Sequence, residues 1–273
     1  MELQNVARLG ELNGNCLNVE EVSGLEVATM QRKLEENLPG KMYFWGKVFG
    51  STQDYLVVHH IDPYAVFPEK NYFFCTTNEY ILKALPPLSQ EYKDTAEKLT
   101  MALTGDASFF KFNPDGEYED DDPEAPPVER FRELHRLSNT VRKIDHDCAL
   151  VPRGALVVDA GKKVIPSANY QGLSFHTATE TRAYQHYRPP ESLQGIALLK
   201  RPGIVKSGDF LDCIDQDTPA GMWVVSHNSA GTVAYVRNLY WEGYGFYSVL
   251  GSAEYGGAYF GNGVPHHDIA FML

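Results

Sequence analysis

The chain has 273 residues, 43% of them hydrophobic and 22% charged, the composition of a folded protein rather than a disordered one. Its net charge of -12 argues against broad binding to nucleic acid or to anionic membranes, which call for basic patches. The opening MELQNVARLGELN has neither a basic start nor an apolar core, so no secretory signal is expected. Apolar runs such as YLVV and GIALL are far too short to span a bilayer.

The first element expected is a helix from Ser23, where Ser23 and Glu26 have capping-box spacing and Val27, Met30, Leu34 and Leu38 make a helical stripe. Pro39-Gly40 ends it. Residues 1–40 therefore read as a helical N-terminal arm that packs outward. The stretch KMYFWGKVFGSTQDYLVVHH follows as a hairpin, with strands at 42–49 and 55–61 around a polar turn. Both faces of these strands are largely apolar, which predicts a sheet covered on both sides. NYFFCTT, 71–77, reads as a third strand.

Two amphipathic helices come next. One spans 89–104, with Tyr92, Ala96, Leu99 and Leu103 on one face and Gly105 as its stop. The other starts at Pro127 and aligns Phe131, Leu134, Leu137, Val141 and Ile144. Between them lies an acidic loop, 113–127, containing DGEYEDDDPEAPP, whose like charges repel and favour a solvated segment. The run ALVPRGALVV, 149–158, is strand-like but broken by Pro152 and Gly154, which predicts a bulge or an edge. The C-terminal part reads as paired strands dense in aromatics and glycine. No repeat of fixed period and no linker stands out. The expected fold is α+β: one domain over 1–273, with a central, mostly antiparallel sheet and flanking amphipathic helices.

Few residues point to chemistry. Cys16, Cys75, Cys148 and Cys213 are widely spaced, without C-x-x-C, and no N-x-S/T sequon occurs. A reduced intracellular chain with free thiols is the expectation. His59 and His60 are neighbours on a strand, so their side chains point to opposite faces and cannot share a metal. His266 and His267 raise the same difficulty. Asp145, His146, Asp147 and Cys148 resemble a ligand set by composition, but they sit at a predicted helix end, where a cationic His suits the dipole. G-x-S-x-G, the P-loop and a complete dinucleotide loop are all missing. No catalytic, cofactor-binding or metal-binding residues are expected.

A set of motifs in fixed order then carries a resemblance: FWGKVFG (44–50), DYLVV (54–58), TGDASFFKF (104–112), RLSNTVRKIDHDCALVPRGAL (136–156), NYQGLS (169–174) with YQHYRPP (184–190), FLDCIDQDTPAGMW (210–223) with VRNLYWEGYGFY (236–247), and the closing DIAFML (268–273). Over about residues 40–273 the chain resembles the radial spoke head protein 9 family of ciliary and flagellar axonemes. Two departures stand out. The family usually has Trp-Pro-Gly where this chain has Trp241-Glu242-Gly243, and a tryptophan near Tyr80.

The resemblance implies a non-enzymatic structural subunit of the spoke head. It further implies partners among radial spoke head proteins 4 and 6 and radial spoke proteins 1, 2, 3 and 10. Contact with central pair projections would be transient and would relay mechanical signals to dynein, with no nucleic acid or membrane involved. Tyr240, Trp241, Tyr244, Tyr247, Tyr255 and Tyr259 are the candidate interface anchors, because aromatic residues dominate binding hot spots. The alternatives are an enzyme built on His59 or His146, which needs a deep pocket with convergent polar groups, and a small-ligand β module whose aromatic tail lines a groove.

Overall fold

The computed structural model describes residues 1–99, 101–109, 131–201 and 209–268. The acidic loop and the start proposed for the second helix at Pro127 lie outside them. So do the last residues of DIAFML.

An eight-stranded sheet organises the fold. Its strands are β1 (Met42–Val48), β2 (Tyr55–Asp62), β3 (Glu69–Thr76), β4 (Glu79–Ala84), β9 (Trp223–His227), β10 (Val233–Asn238), β11 (Tyr244–Val249) and β12 (Tyr255–Gly261). They run in the order β4-β3-β2-β1-β12-β11-β10-β9. Each half is an antiparallel meander, and the halves join through one parallel pair, β1 with β12, over Gly46–Val48 and Tyr259–Gly261. Strand β4 was not expected from the sequence: its exposed Glu79 and Lys83 hide the alternation that Leu82 keeps.

Strand β2 shows why the sheet needs cover on both faces. Tyr55 and Val57 enter one apolar cluster, Leu56 and Val58 the opposite one, and all four are inaccessible. The first face is covered by α4 (Glu133–Cys148), whose Leu137, Val141 and Ile144 are fully buried. The second is covered by α1 (Ala7–Asn13) and α2 (Val19–Glu35) through Val6, Leu9, Leu25 and Ala28. The N-terminal arm thus forms a layer on the sheet and does not pack outward. Burial of Leu9 and Leu25 contributes roughly 2 kcal/mol each.

Helix α2 also begins earlier than expected. Asn18, in extended conformation, accepts from the Glu21 amide at 2.7 Å, and the Glu21 carboxylate accepts from the Asn18 amide at 3.0 Å. That reciprocal cap displaces the Ser23/Glu26 pair to the helix interior. The face turned to the sheet carries Glu21, Leu25 and Ala28, with Arg32 over the Phe73 ring at 5.3 Å. The predicted stripe of Val27, Met30 and Leu34 faces away.

Helix α3 (Gln90–Lys98) stops short of the predicted 104, and Leu99 is extended. Leu103 is nevertheless buried and ties the otherwise largely exposed loop to the core. Gly105, with φ +98°, packs beside Gln53 and caps nothing. The run 149–158 splits into β5 (Leu150–Pro152) and β6 (Leu156–Val158) around Gly154. Strand β5 pairs with β8 (Tyr184–His186), and β6 with β7 (Val164–Pro166). Two short helices, α5 (Phe175–Ala178) and α6 (Leu193–Lys200), complete this side. In the Trp241-Glu242-Gly243 turn, Tyr244 N donates to Trp241 O at 3.1 Å. Gly243 takes φ +98°, and the Phe260 carbonyl oxygen occupies the place a Cβ would take. Glycine, rather than proline, is what this turn requires.

Candidate functional site

The six aromatic anchors separate into two groups. Trp241, Tyr244, Tyr247 and Tyr259 are at most 7% exposed. Trp241 Nε1 donates to Asp147 Oδ2 at 2.9 Å, and Tyr259 OH accepts from Gly263 N at 2.9 Å. These four are core residues of the chain itself, which corrects their reading as surface anchors: strands β11 and β12 lie between two covering layers, so their large rings are consumed by the fold. Tyr240 and Tyr255 are only partly buried. Tyr240 packs edge-on against Trp241 and His267, and Tyr255 against Tyr170.

His59 and His60 point to opposite sides of β2. The Nε2 of His60 meets the Pro39 carbonyl on the helical-arm side. His59 stacks on Tyr43 at 5.7 Å between centroids, and its Nδ1 has no hydrogen-bond partner. Burial, followed by nearby positive charge that includes Lys70, holds the His59 pKa well below the usual histidine range.

His59 borders a cavity of about 460 Å³. The cavity opens where β1 and β12, paired only from Gly46 onward, part from each other. Its walls include Tyr43, Trp45, Tyr244 and Tyr255, and its one internal ion pair joins Lys70 to both oxygens of Asp145, at 2.6 and 2.8 Å. Asp145 also accepts from Trp45 Nε1 at 3.1 Å. These two charges satisfy each other; the remaining walls mix aromatic rings with aliphatic Ile61, Leu150 and Leu156, and Glu2 and Glu254 lie at the lining as well.

Within the run Asp145–Cys148 only His146 and Asp147 meet. Successive helix positions turn by about 100°. Asp145 accordingly reaches Lys70, Asp147 reaches Trp241, and Cys148 is buried, which raises its thiol pKa. His146 turns out to Asp147 and Glu191, at 3.1 and 3.0 Å. The hydrogen bond to Asp147 raises its pKa, partly offset by burial. The rings of His266 and His267 have different neighbours: His266 Nε2 lies 3.9 Å from Glu242, while the His267 ring packs on Tyr240. Among the described residues, no group of three or more His, Cys, Asp or Glu side chains could hold a metal ion.

Three features escaped the sequence reading. His186 is buried against Asp217 at 2.9 Å, and Asp217 also accepts from Trp223 Nε1 at 2.7 Å. Glu133 is a fully buried carboxylate gathering donors from Tyr55, Thr104 and Gly105. The third is the exposed apolar face of α2. The first two join residues distant in sequence and leave no local signal. The third was visible as a stripe, but its direction was not.

No protein-family model matches the chain. Among curated proteins, the Danio rerio radial spoke head protein 9 homolog is 29% identical over 269 residues, covering 97% of this chain and 96% of that protein. The Homo sapiens and Bos taurus homologs of the same name are each 28% identical over 243 residues, with 85% of both chains covered. The resemblance carried by the motifs thus extends through most of the sequence, and among these relatives it reaches furthest in the zebrafish protein.

Proposed function

From this resemblance to the radial spoke head protein 9 homologs, we propose that the chain is a structural, non-enzymatic subunit of the radial spoke head in the axoneme of motile cilia or flagella. The observation that carries the reading is the near-complete coverage of both sequences. The interior is consistent with it. At the cavity Lys70 and Asp145 neutralise one another, and His59 and His60 face apart.

In this role the chain works by surface complementarity. It assembles with radial spoke head proteins 4 and 6, and more distantly with radial spoke proteins 1, 2, 3 and 10. An obligate subunit of this kind buries over roughly 2,000 Å² with its partners. Tyr240 and Tyr255 remain the aromatic candidates for such contact. The net charge of -12 keeps encounters with central pair projections brief where those are also acidic.

The test is purification of the tagged chain from salt-extracted axonemes, with stoichiometry read by mass spectrometry. Recovery of radial spoke head proteins 4 and 6 in near-equal amounts supports the reading. Recovery of the chain alone, with none in the axoneme, overturns it. One observation favours a second reading, a small-ligand module: Tyr244 and Tyr255 line the cavity, which is of ligand size. A thermal-shift screen of small aromatic compounds that moved Tm only when Tyr43 and His59 are intact would support that alternative.

A further inference from the structure

Helix α2 is apolar on two opposed faces. The inner face, centred on Leu25 and Ala28, rests on the sheet. On the outer face Val27, Met30 and Leu34 are 66%, 66% and 77% exposed, and Val19 extends the row at the N-terminal end. Exposed Ser23 lies one turn before Val27. The order Ser23, Val27, Met30, Leu34 advances by alternating steps of about four and three, the spacing of a coiled-coil seam. A helix apolar on both sides belongs between two layers, and the chain's own sheet supplies one of them.

Two charges flank the open seam on the same side, Glu26 and Lys33. Neither has an ion-pair partner among the described residues, whereas Glu21 pairs with Lys47 and Arg32 with Glu35 and Glu36. Glu26 and Lys33 are one heptad apart, with opposite signs.

We propose that the outer face of α2 is a two-fold interface between two copies of this chain, with the helices antiparallel. In that arrangement Val27 packs against Met30 of the second copy, and Leu34 against Ser23. Glu26 then faces Lys33 of the second copy, and the symmetry makes the pair twice. This self-complementarity favours a second copy over an unlike helix: one heptad supplies both halves of each contact, as an isologous interface requires. The helix has 17 residues, about 25 Å of length. The contact is therefore at the small end of specific interfaces, with a dissociation constant on the order of 100 μM. The inference does not rest on the spoke head assignment.

Sedimentation equilibrium of the full chain, from roughly 1 to 500 μM, tests it. A monomer–dimer equilibrium is expected. Met30→Glu, at a position exposed in the monomer, weakens association at least about tenfold. Glu26→Lys alone weakens it, and the double exchange Glu26→Lys with Lys33→Glu returns it to within about threefold of the original. Far-UV circular dichroism checks each variant for an intact fold, and Met30→Gln replaces Met30→Glu if the latter unfolds. The proposal is overturned by a monomer across the whole range, which would assign the seam to an unlike partner or to another segment of this chain. It is equally overturned by a dimer indifferent to the Met30 change, or by failure of the double exchange to restore association.

Discussion

Replacing Glu133 with Ala tests how the fold holds the loop at Thr104 and Gly105. The side chain is fully buried at the start of α4. Its carboxylate accepts from Tyr55 OH at 2.7 Å, from Thr104 N and Oγ1 at 2.9 Å, and from Gly105 N at 2.8 Å. Hydrogen bonds to a charged group contribute about 1.5–3 kcal/mol each, and their contributions do not add. In the Ala variant Tyr55 OH and the Gly105 amide lose their acceptor inside the core, each a penalty of about 1–3 kcal/mol. The expected loss is therefore about 3–5 kcal/mol, the range found when one partner of a buried charged network is removed. Glu133→Gln keeps the volume but turns an acceptor into a donor aimed at N–H groups, and loses about 2 kcal/mol. For a chain of this size these losses lower Tm by about 2–4 °C per kcal/mol. Urea unfolding followed by circular dichroism gives the values, and hydrogen exchange at Thr104 and Gly105 localises them. A Glu133→Gln variant within about 0.5 kcal/mol of the original, with those amides still protected, would refute the account.

Two more perturbations follow from the geometry. Gly243→Ala forces a Cβ into the Phe260 carbonyl at φ +98°; a loss above about 1.5 kcal/mol is expected in urea unfolding, and a neutral result would mean that the turn relaxes freely. The buried His59 and half-exposed His146 should act oppositely with pH. His59 has a depressed folded pKa, so its contribution is complete above the unfolded value of about 6.5 and drains away as pH falls. His146 has a raised folded pKa, so its contribution is complete below about 6.5 and is lost as pH rises through the folded value. Stability curves against pH should show His59→Phe losing less than the original on the acid side, and His146→Gln differing from it most there. Profiles that run parallel for all three chains would contradict both assignments.

Where a strand is buried on both faces, its residues alone identified it: 42–49 and 55–61 match β1 and β2 within a residue or two. The α+β class followed from such strands and from the stripe of α4. The aromatic tail misled for a physical reason. Composition reports that a ring will be covered, and Trp241 and Tyr247 are covered by this chain instead of a partner. The stripe of α2 misled in the reverse sense. Periodicity located an apolar row at Val27, Met30 and Leu34, but a helix with two such rows offers no local cue to which one meets the sheet. Leu25 and Ala28 won because Asn18 and Glu21 set the helix start, and Lys47 draws Glu21 inward at 2.7 Å.

The parallel junction of β1 with β12 has a consequence for the chain as it is made. Gly46 finds its partner Tyr259 only after roughly 200 further residues have been added, a delay of about 10 s or more at ordinary synthesis rates. Until then the inner side of the first meander, paired by Met1 only at Phe44, is an otherwise open apolar edge. Such an edge folds slowly, because its contacts are distant in sequence, and invites pairing with the wrong strand. Nascent chains cut short before residue 255 should therefore be the form that aggregates and recruits chaperones, whereas completion of β12 closes the sheet in one late step.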